Sequence, residues 1–240
     1  MSQTELSFVI PAYNEEASIE DTLDTLDEVV KNNNLRYEIV VVDDGSKDKT
    51  LSKAIGYASR NRHVKIVSYT KNVGKGYAVK AGFMQATGEV VVFADSDMEI
   101  DLSTISRYVD ALEHGDIVIA SKWHPKSVVE IPLMRRILGF GFNVLVRLLT
   151  RVNLRDTQTG LKAIRREAFE DVFPRLTVKR YAFDVELLAV ANLYGLRVVE
   201  MPVNLHVRAL FSIREMWRMF LDLLEIGYRL RLKRYHRTLK

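Results

Sequence analysis

The stretch Val90-Val91-Val92-Phe93-Ala94-Asp95-Ser96-Asp97-Met98-Glu99 decides how this chain folds. Its first five residues are apolar and mostly β-branched, which is how a strand buried on both faces reads. The run then ends on carboxylates at alternate positions, Asp95, Asp97 and Glu99. At the carboxyl end of a buried strand such side chains can converge on one hard cation, because Mg²⁺ and Mn²⁺ prefer oxygen ligands. A cation held this way commonly binds phosphates. A lone Asp-x-Asp is more often a solvated turn, so its meaning depends on the surrounding chain.

On either side of this strand, apolar runs alternate with helical spacing. Leu6–Ile10, Glu38–Val42, Val64–Ser68 and Ile117–Ser121 read as further strands, and 16–31, 49–60, 76–87 and 103–113 as helices. In the first helix Ile19, Leu23, Leu26 and Val30 share a face, with Glu20 and Asp21 near its positive end. The alternation predicts an α/β fold, a doubly wound and mostly parallel sheet covered on both faces. Ligands of such sheets bind beyond the carboxyl ends of strands. The polar clusters Pro11-Ala12-Tyr13-Asn14-Glu15, Asp43-Asp44-Gly45-Ser46 and Asp95-Ser96-Asp97 sit at those ends.

The second half breaks the pattern. From Pro132 to about Val152 the chain is rich in Leu, Ile, Phe and Val, and as a helix it brings Arg136, Asn143, Arg147 and Arg151 within about 80° of one another. From Ser212 a second amphipathic segment sets Ile213, Met216, Trp217, Phe220 and Leu224 against Arg214, Arg218, Glu225 and Arg229. Short helices near Arg166 and over 183–194, and a strand over 197–201, complete the reading.

The 240 residues, 48% of them hydrophobic, are enough for one large domain with a substantial core. With no cysteine, disulfides, thiolate metal sites and a cysteine nucleophile are excluded. The net charge of +4 is concentrated in a tail bearing Arg229, Arg231, Lys233, Arg234, Arg237 and Lys240, which suits anionic lipid or nucleic acid. No apolar run is long enough for a membrane-spanning helix, and the first residues lack the layout of a signal peptide.

Individual polar residues admit more than one role. Asp43 and Asp44 can accept hydrogen bonds from a nucleoside, while Asp44 or Ser46 can equally cap the next helix. Tyr13 and Glu15 can stack on and bind a nucleoside, or simply form a strand-to-helix turn. Lys75, within Asn72-Val73-Gly74-Lys75-Gly76, lies in a loop of phosphate-cradling type. The turn after the first strand lacks Gly-x-Gly-x-x-Gly, which argues against a dinucleotide-dependent oxidoreductase.

Taken in order and spacing, Pro11-Ala12-Tyr13-Asn14-Glu15, Val41-Val42-Asp43-Asp44-Gly45-Ser46, Asn72-Val73-Gly74-Lys75-Gly76, Asp95-Ser96-Asp97 and Asp156-Thr157-Gln158-Thr159-Gly160-Leu161-Lys162 resemble the family 2 glycosyltransferases of GT-A fold. The likeness is greatest to polyprenyl (dolichyl) phosphate hexosyltransferases, which transfer a hexose from a nucleotide sugar to a lipid phosphate with inversion. It implies one GT-A domain over 1–240, with a nucleotide-sugar half to about 125 and an acceptor half beyond it that carries amphipathic interface helices near 132–152 and 212–235.

The resemblance also implies roles for residues. Pro11, Tyr13, Glu15, Asp43, Asp44, Lys75, Asp95, Ser96 and Asp97 would hold the nucleotide sugar, and Asp95, Asp97 and Glu99 a Mg²⁺ or Mn²⁺ ion. Lys122 stands where mannosyl-transferring relatives carry arginine. Arg208 fits the family's phosphate-binding arginine, and Arg136 and Arg214 are further candidates for the acceptor phosphate. Asp156 would lie near the acceptor as orienting group or base, unless it only caps a helix. Asp156-Thr157-Gln158-Thr159-Gly160 resembles the glucosyl branch, favouring UDP-glucose over GDP-mannose. The polymerising branch's Gln-x-x-Arg-Trp is absent. The expected setting is peripheral, on the cytoplasmic face of a membrane, with no nucleic-acid partner and with room for a homo-oligomer or a separate anchor subunit. The amphipathic helices would meet lipid, or else cover the sheet or form a dimer contact.

Overall fold

The computed structural model describes residues 5–32, 36–96, 99–206, 213–232 and 235. The amino-terminal half alternates as its sequence predicts: β1 (Leu6–Ala12), α1 (Ile19–Asn32), β2 (Tyr37–Asp43), α2 (Thr50–Ala58), β3 (Val64–Ser68), α3 (Lys75–Gln85) and β4 (Val90–Phe93). These four strands are parallel, with Leu6 opposite both Tyr37 and Val90. Strands β1 and β2 are buried along their whole length, as apolar runs without alternation require.

The predicted helix over 103–113 is instead a short α4 (Ile105–Asp110) between two 3₁₀ turns, Leu102–Thr104 and Ala111–His114. Beyond it come β5 (Ile117–Ala120), β6 (Val128–Glu130), α5 (Leu133–Thr150), β7 (Lys162–Arg165), α6 (Arg166–Phe169), α7 (Phe183–Leu193), β8 (Val198–Met201), β9 (Asn204–His206) and α8 (Ile213–Arg231). The main sheet runs β3-β2-β1-β4-β7-β5-β8, and β6 pairs with β9 in a separate ribbon. Only β7 runs antiparallel to its neighbours in the main sheet, with Lys162 in register with Phe93 on one side and Ile119 on the other. Its amino end, and the loop leading into it, therefore meet the carboxyl ends of β4 and β5.

Strand pleating divides the core between the two faces of the sheet. Val9, Val40, Val42 and Val91 point toward α3, α7 and the inner side of α8, while Phe8, Ile10, Ile39 and Val92 point toward α1 and α4. The α1 stripe of Ile19, Leu23, Leu26 and Val30 is fully buried against that second face. Among the described residues, no helix is long and apolar enough to cross a membrane.

Helices α5 and α8 cross outside the sheet, with Gly227 close against Leu149. On α5 the polar stripe divides: Arg136, Arg147 and Arg151 are exposed, and Asn143 is buried. The Asn143 amide donates to the Arg155 carbonyl, and Arg147 donates to the Leu154 carbonyl at 2.8 and 3.0 Å. The apolar side, with Leu133, Ile137 and Leu145, faces out. On α8 Met219, Leu223 and Ile226 are buried, while Trp217 and Leu224 of the apolar face read from the sequence are exposed.

Candidate active site

A cavity of about 1000 Å³ opens at the carboxyl edge of the sheet. Its floor comes from Pro11 and Tyr13 after β1, Asp95 and Ser96 after β4, Lys122 after β5, and Gln158–Gly160 ahead of β7. Its outer wall is largely apolar, with Ile137, Leu138 and Leu145 of α5 and Met216, Trp217 and Phe220 of α8, interrupted by Arg135, Glu215, Arg218 and Asp222.

The turn after β1 is fixed by polar ties to the β2–α2 turn. Asn14 adopts φ of +56°, a left-handed conformation that asparagine tolerates. Its amide donates to Ser46 Oγ at 3.0 Å, and its Oδ1 accepts from the Lys47 amide at 2.9 Å. Glu15 N donates to Thr50 Oγ1 at 2.7 Å, leaving the Glu15 side chain on the cavity wall beside the exposed Tyr13 ring.

Asp43 and Asp44 occupy different environments. Asp44 accepts from Val73 N and Gly74 N, both at 2.8 Å, and from Asn72 Nδ2 at 2.9 Å. It anchors the glycine loop and does not cap α2. Gly74 is required there, since its φ is +122° and a Cβ would lie 2.4 Å from the Lys179 carbonyl oxygen. Asp43 Oδ2 accepts from Ser46 N at 3.3 Å, while its Oδ1 is buried without a partner among the described residues. A buried acceptor left open in this way is unusual.

The held loop aims Lys75 into the cavity. Its ammonium lies 2.7 Å from Asp95 Oδ1 and 3.0 Å from Asp95 Oδ2. Ser96 turns the β4 tip back onto β1 by donating to the Pro11 carbonyl at 3.1 Å, and its own carbonyl accepts from Thr22 Oγ1. Gly160 passes so close that a Cβ would fall 1.8 Å from Asp95 Oδ2, so the loop leading into β7 must carry glycine here. Glu99 lines the same cavity. Among the described residues, no three His, Cys, Asp or Glu side chains gather as a metal cluster. Asp97 and Arg208 both lie outside the described residues.

Asp156 is almost completely buried under Lys122. Its carboxylate accepts from Lys122 N at 2.9 Å, Lys122 Nζ at 2.8 Å, Gln158 N at 3.0 Å and Thr159 Oγ1 at 2.5 Å. Burial pushes this carboxyl up, but the Lys122 ammonium and the hydrogen bonds outweigh it and hold the group below its ordinary value. A carboxylate so engaged orients; it is poorly suited to take a proton. Glu200 on β8 fixes the same loop by accepting from Arg155 N and Asp156 N.

The cations facing the cavity are not all the expected ones. Arg136 lies over the Trp123 ring at 5.8 Å, and it is Arg135 that lines the cavity. Arg214 is exposed on the first turn of α8, while Arg218, one turn later, reaches the wall. Arg180 and Asp184 also line the site and escaped the sequence reading, which quoted Lys162, the ion-pair partner of Asp184, in a motif without giving it a role. The available signal was an acid in an otherwise apolar run, Ala182-Phe183-Asp184-Val185.

A sequence model described as glycosyl transferase family 2 matches residues 7–173. The chain belongs to glycosyl transferase family 2. A dolichyl-phosphate beta-glucosyltransferase of Trichomonas vaginalis is 35% identical over 95% of this chain and 75% of its own length. The human dolichyl-phosphate beta-glucosyltransferase is 34% identical over 83% of this chain and 67% of its own length. Glucosyl-3-phosphoglycerate synthase from Mycobacterium tuberculosis, crystallised with uridine diphosphate, superposes with a TM-score of 0.70 at 22% identity. That match covers 95% of this chain and 81% of the synthase. The family 2 fold is therefore the GT-A arrangement expected from the sequence.

Proposed function

We propose that this family 2 member transfers glucose from UDP-glucose to a polyprenyl (dolichyl) phosphate, with inversion, at a membrane surface. The observation that carries the reading is the two-sided cavity, in which the carboxylate of Asp95 and the cations Lys75 and Lys122 face a largely apolar wall from α5 and α8. A nucleotide sugar matches the first side and a lipid-borne phosphate the second. Identity above 30% to dolichyl-phosphate beta-glucosyltransferases supports the same donor and acceptor.

In the reaction an acceptor phosphate oxygen forms a bond to the sugar's anomeric carbon while the bond to the departing diphosphate breaks. The acceptor is already anionic near neutral pH, so no side chain need remove a proton. Lys122, oriented by Asp156, attracts that phosphate. Lys75 offers positive charge beside the donor diphosphate. Asp43 Oδ1 is an open acceptor for a hydrogen bond from the base or ribose. Tyr13 offers its ring for stacking.

The donor set fits a divalent cation. Asp95 and Glu99 present hard oxygen ligands to one cavity, and the Lys75 ammonium already occupies a cation's place against Asp95. Asp95 and Glu99, with Asp97 from the family resemblance, would hold Mg²⁺ or Mn²⁺, which when bound stabilises the charge of the leaving diphosphate. The outward apolar faces of α5 and α8 support peripheral membrane binding, which the resemblance assigns to the cytoplasmic side.

The test is incubation with labelled UDP-glucose, Mn²⁺ and a polyprenyl phosphate in detergent or liposomes. Organic-extractable label is expected, with Asp95→Asn reducing it at least about a hundredfold. No lipid-linked sugar from wild type under these conditions overturns the reading. Equal activity on a soluble acceptor without lipid would replace the lipid with that acceptor.

A further inference from the structure

Lys162 is the first residue of β7 and is 2% exposed, lying in the sheet between Phe93 and Ile119. A buried ammonium needs acceptors close by. Its Nζ is 2.7 Å from Asp184 Oδ1 and donates to the Thr159 carbonyl at 2.8 Å. Asp184 lies in the first turn of α7 and is also buried, yet it lines the cavity. Its second oxygen, Oδ2, stands 4.0 Å from Lys75 Nζ, outside hydrogen-bond reach. The same Nζ is 2.7 Å from Asp95 Oδ1, so one ammonium lies between two carboxylates that face one space.

We infer that Asp184 contacts the transferred sugar, its Oδ2 accepting hydrogen bonds from hexose hydroxyls, with Lys162 as the positioning residue beneath it. This rests on the proposed nucleotide-hexose donor. An ionised carboxylate only accepts, and with Oδ1 committed to a buried cation the remaining oxygen selects groups that donate. It repels both the donor diphosphate and the acceptor phosphate, which leaves the uncharged sugar as the part of the substrates it can hold. Lys75 has the opposite preference and faces the phosphates. The two side chains thus divide the donor into a charged end and a hydroxylated end. Lys162 can do this from beneath because β7 runs antiparallel, which sets its first residue under the tips of both β4 and β5.

Affinities for UDP and for UDP-glucose, and kcat/KM for UDP-glucose against UDP-galactose, test the assignment in wild type, Asp184→Asn, Lys162→Met and the double variant Lys162→Met/Asp184→Asn. The double variant removes both charges together and leaves neither buried alone. UDP should bind each variant within about twofold of wild type, while UDP-glucose affinity and kcat/KM fall about ten- to a hundredfold and the preference over UDP-galactose shrinks. In Lys162→Met the loss should fall on KM more than on kcat. Unchanged UDP-glucose binding, or an equal loss for UDP and UDP-glucose, overturns the assignment while leaving the proposed function intact. Wild type that binds neither ligand overturns the proposed function, and this assignment with it.

Discussion

Helix α7 buries every residue from Phe183 to Ala191, including Asp184 and Glu186, whereas α5 leaves Leu133, Ile137, Phe140 and Leu148 more than half exposed. Both segments are rich in apolar residues, so composition does not separate them. What separates them is the partner available to each face. The acids of α7 are satisfied inside the protein: Asp184 by Lys162, and Glu186 by Thr177, the Val178 amide and the Tyr235 hydroxyl. On α5 Asn143 and Arg147 are satisfied by the 152–156 loop, while Leu133, Leu138, Leu145 and Leu148 face outward. An exposed apolar face of this kind marks an interaction surface, and a hydrocarbon interface suits it.

The largest effect expected from this contrast is on stability. Leu188→Ala in α7 should cost about 2–5 kcal/mol in urea unfolding, because it leaves a cavity in a closed core. Leu148→Ala in α5 should change it by less than about 0.5 kcal/mol. Similar costs for the two would break the comparison.

Next comes membrane affinity. Ile137→Asp and Leu148→Asp should each lower partitioning to liposomes about ten- to a hundredfold while the melting temperature holds, since each withdraws a large apolar side chain from the interface. Co-sedimentation that ignores both substitutions would reassign the face of α5.

Acid should expose a further difference between inner and outer groups. The Asp156 carboxyl titrates below its unfolded value, so its ionised form adds stability above about pH 4. That contribution is lost as pH falls through the folded-state value. Asp156→Asn should flatten the acid limb of a stability–pH curve, and Leu148→Ala should leave its shape alone.

The smallest effect concerns Arg147, whose guanidinium is bonded to the Leu154 carbonyl. Arg147→Gln should cost about 1 kcal/mol of stability and leave binding to anionic vesicles unchanged. Were the arginine instead meeting headgroups, vesicle binding would weaken by about 1 kcal/mol.

Much of the fold was legible because the central parallel strands are rich in Val and Ile and largely buried, and the partly exposed edge strand β3 keeps the same composition. Val64–Ser68 matches its expected bounds, and β1, β2, β4 and β5 agree to within two residues at either end. The strands β6, β7 and β9 were not legible, whereas β8 was. Lys162–Arg165 has no apolar run of its own, and its place between β4 and β5 is set by long-range pairing that local pattern does not record. Which arc of α8 meets protein was not legible either: Met219, Leu223 and Ile226 are buried beside the apolar stripe that periodicity picks out. At the site, Asp95, Lys75 and Lys122 were found through their motifs, and Asp44 was found but serves as a loop anchor. Asp184 and the role of Lys162 were missed because their meaning lies in each other, across a sequence gap that spacing cannot bridge.

The reversed strand at the middle of the sheet has a consequence for assembly. While the chain is being made, β4 and β5 are complete before β7 emerges, and β5's two neighbours, β7 and β8, both come later. Until then β4 presents an unpaired edge and β5 is unpaired on both sides, the kind of surface that recruits other chains. A truncated product ending before residue 162 should therefore aggregate rather than persist as a partly active fragment. The loop carrying Asp156 and Gly160 arrives with the strand that covers the β4 edge, so this part of the site and protection of that edge should come together.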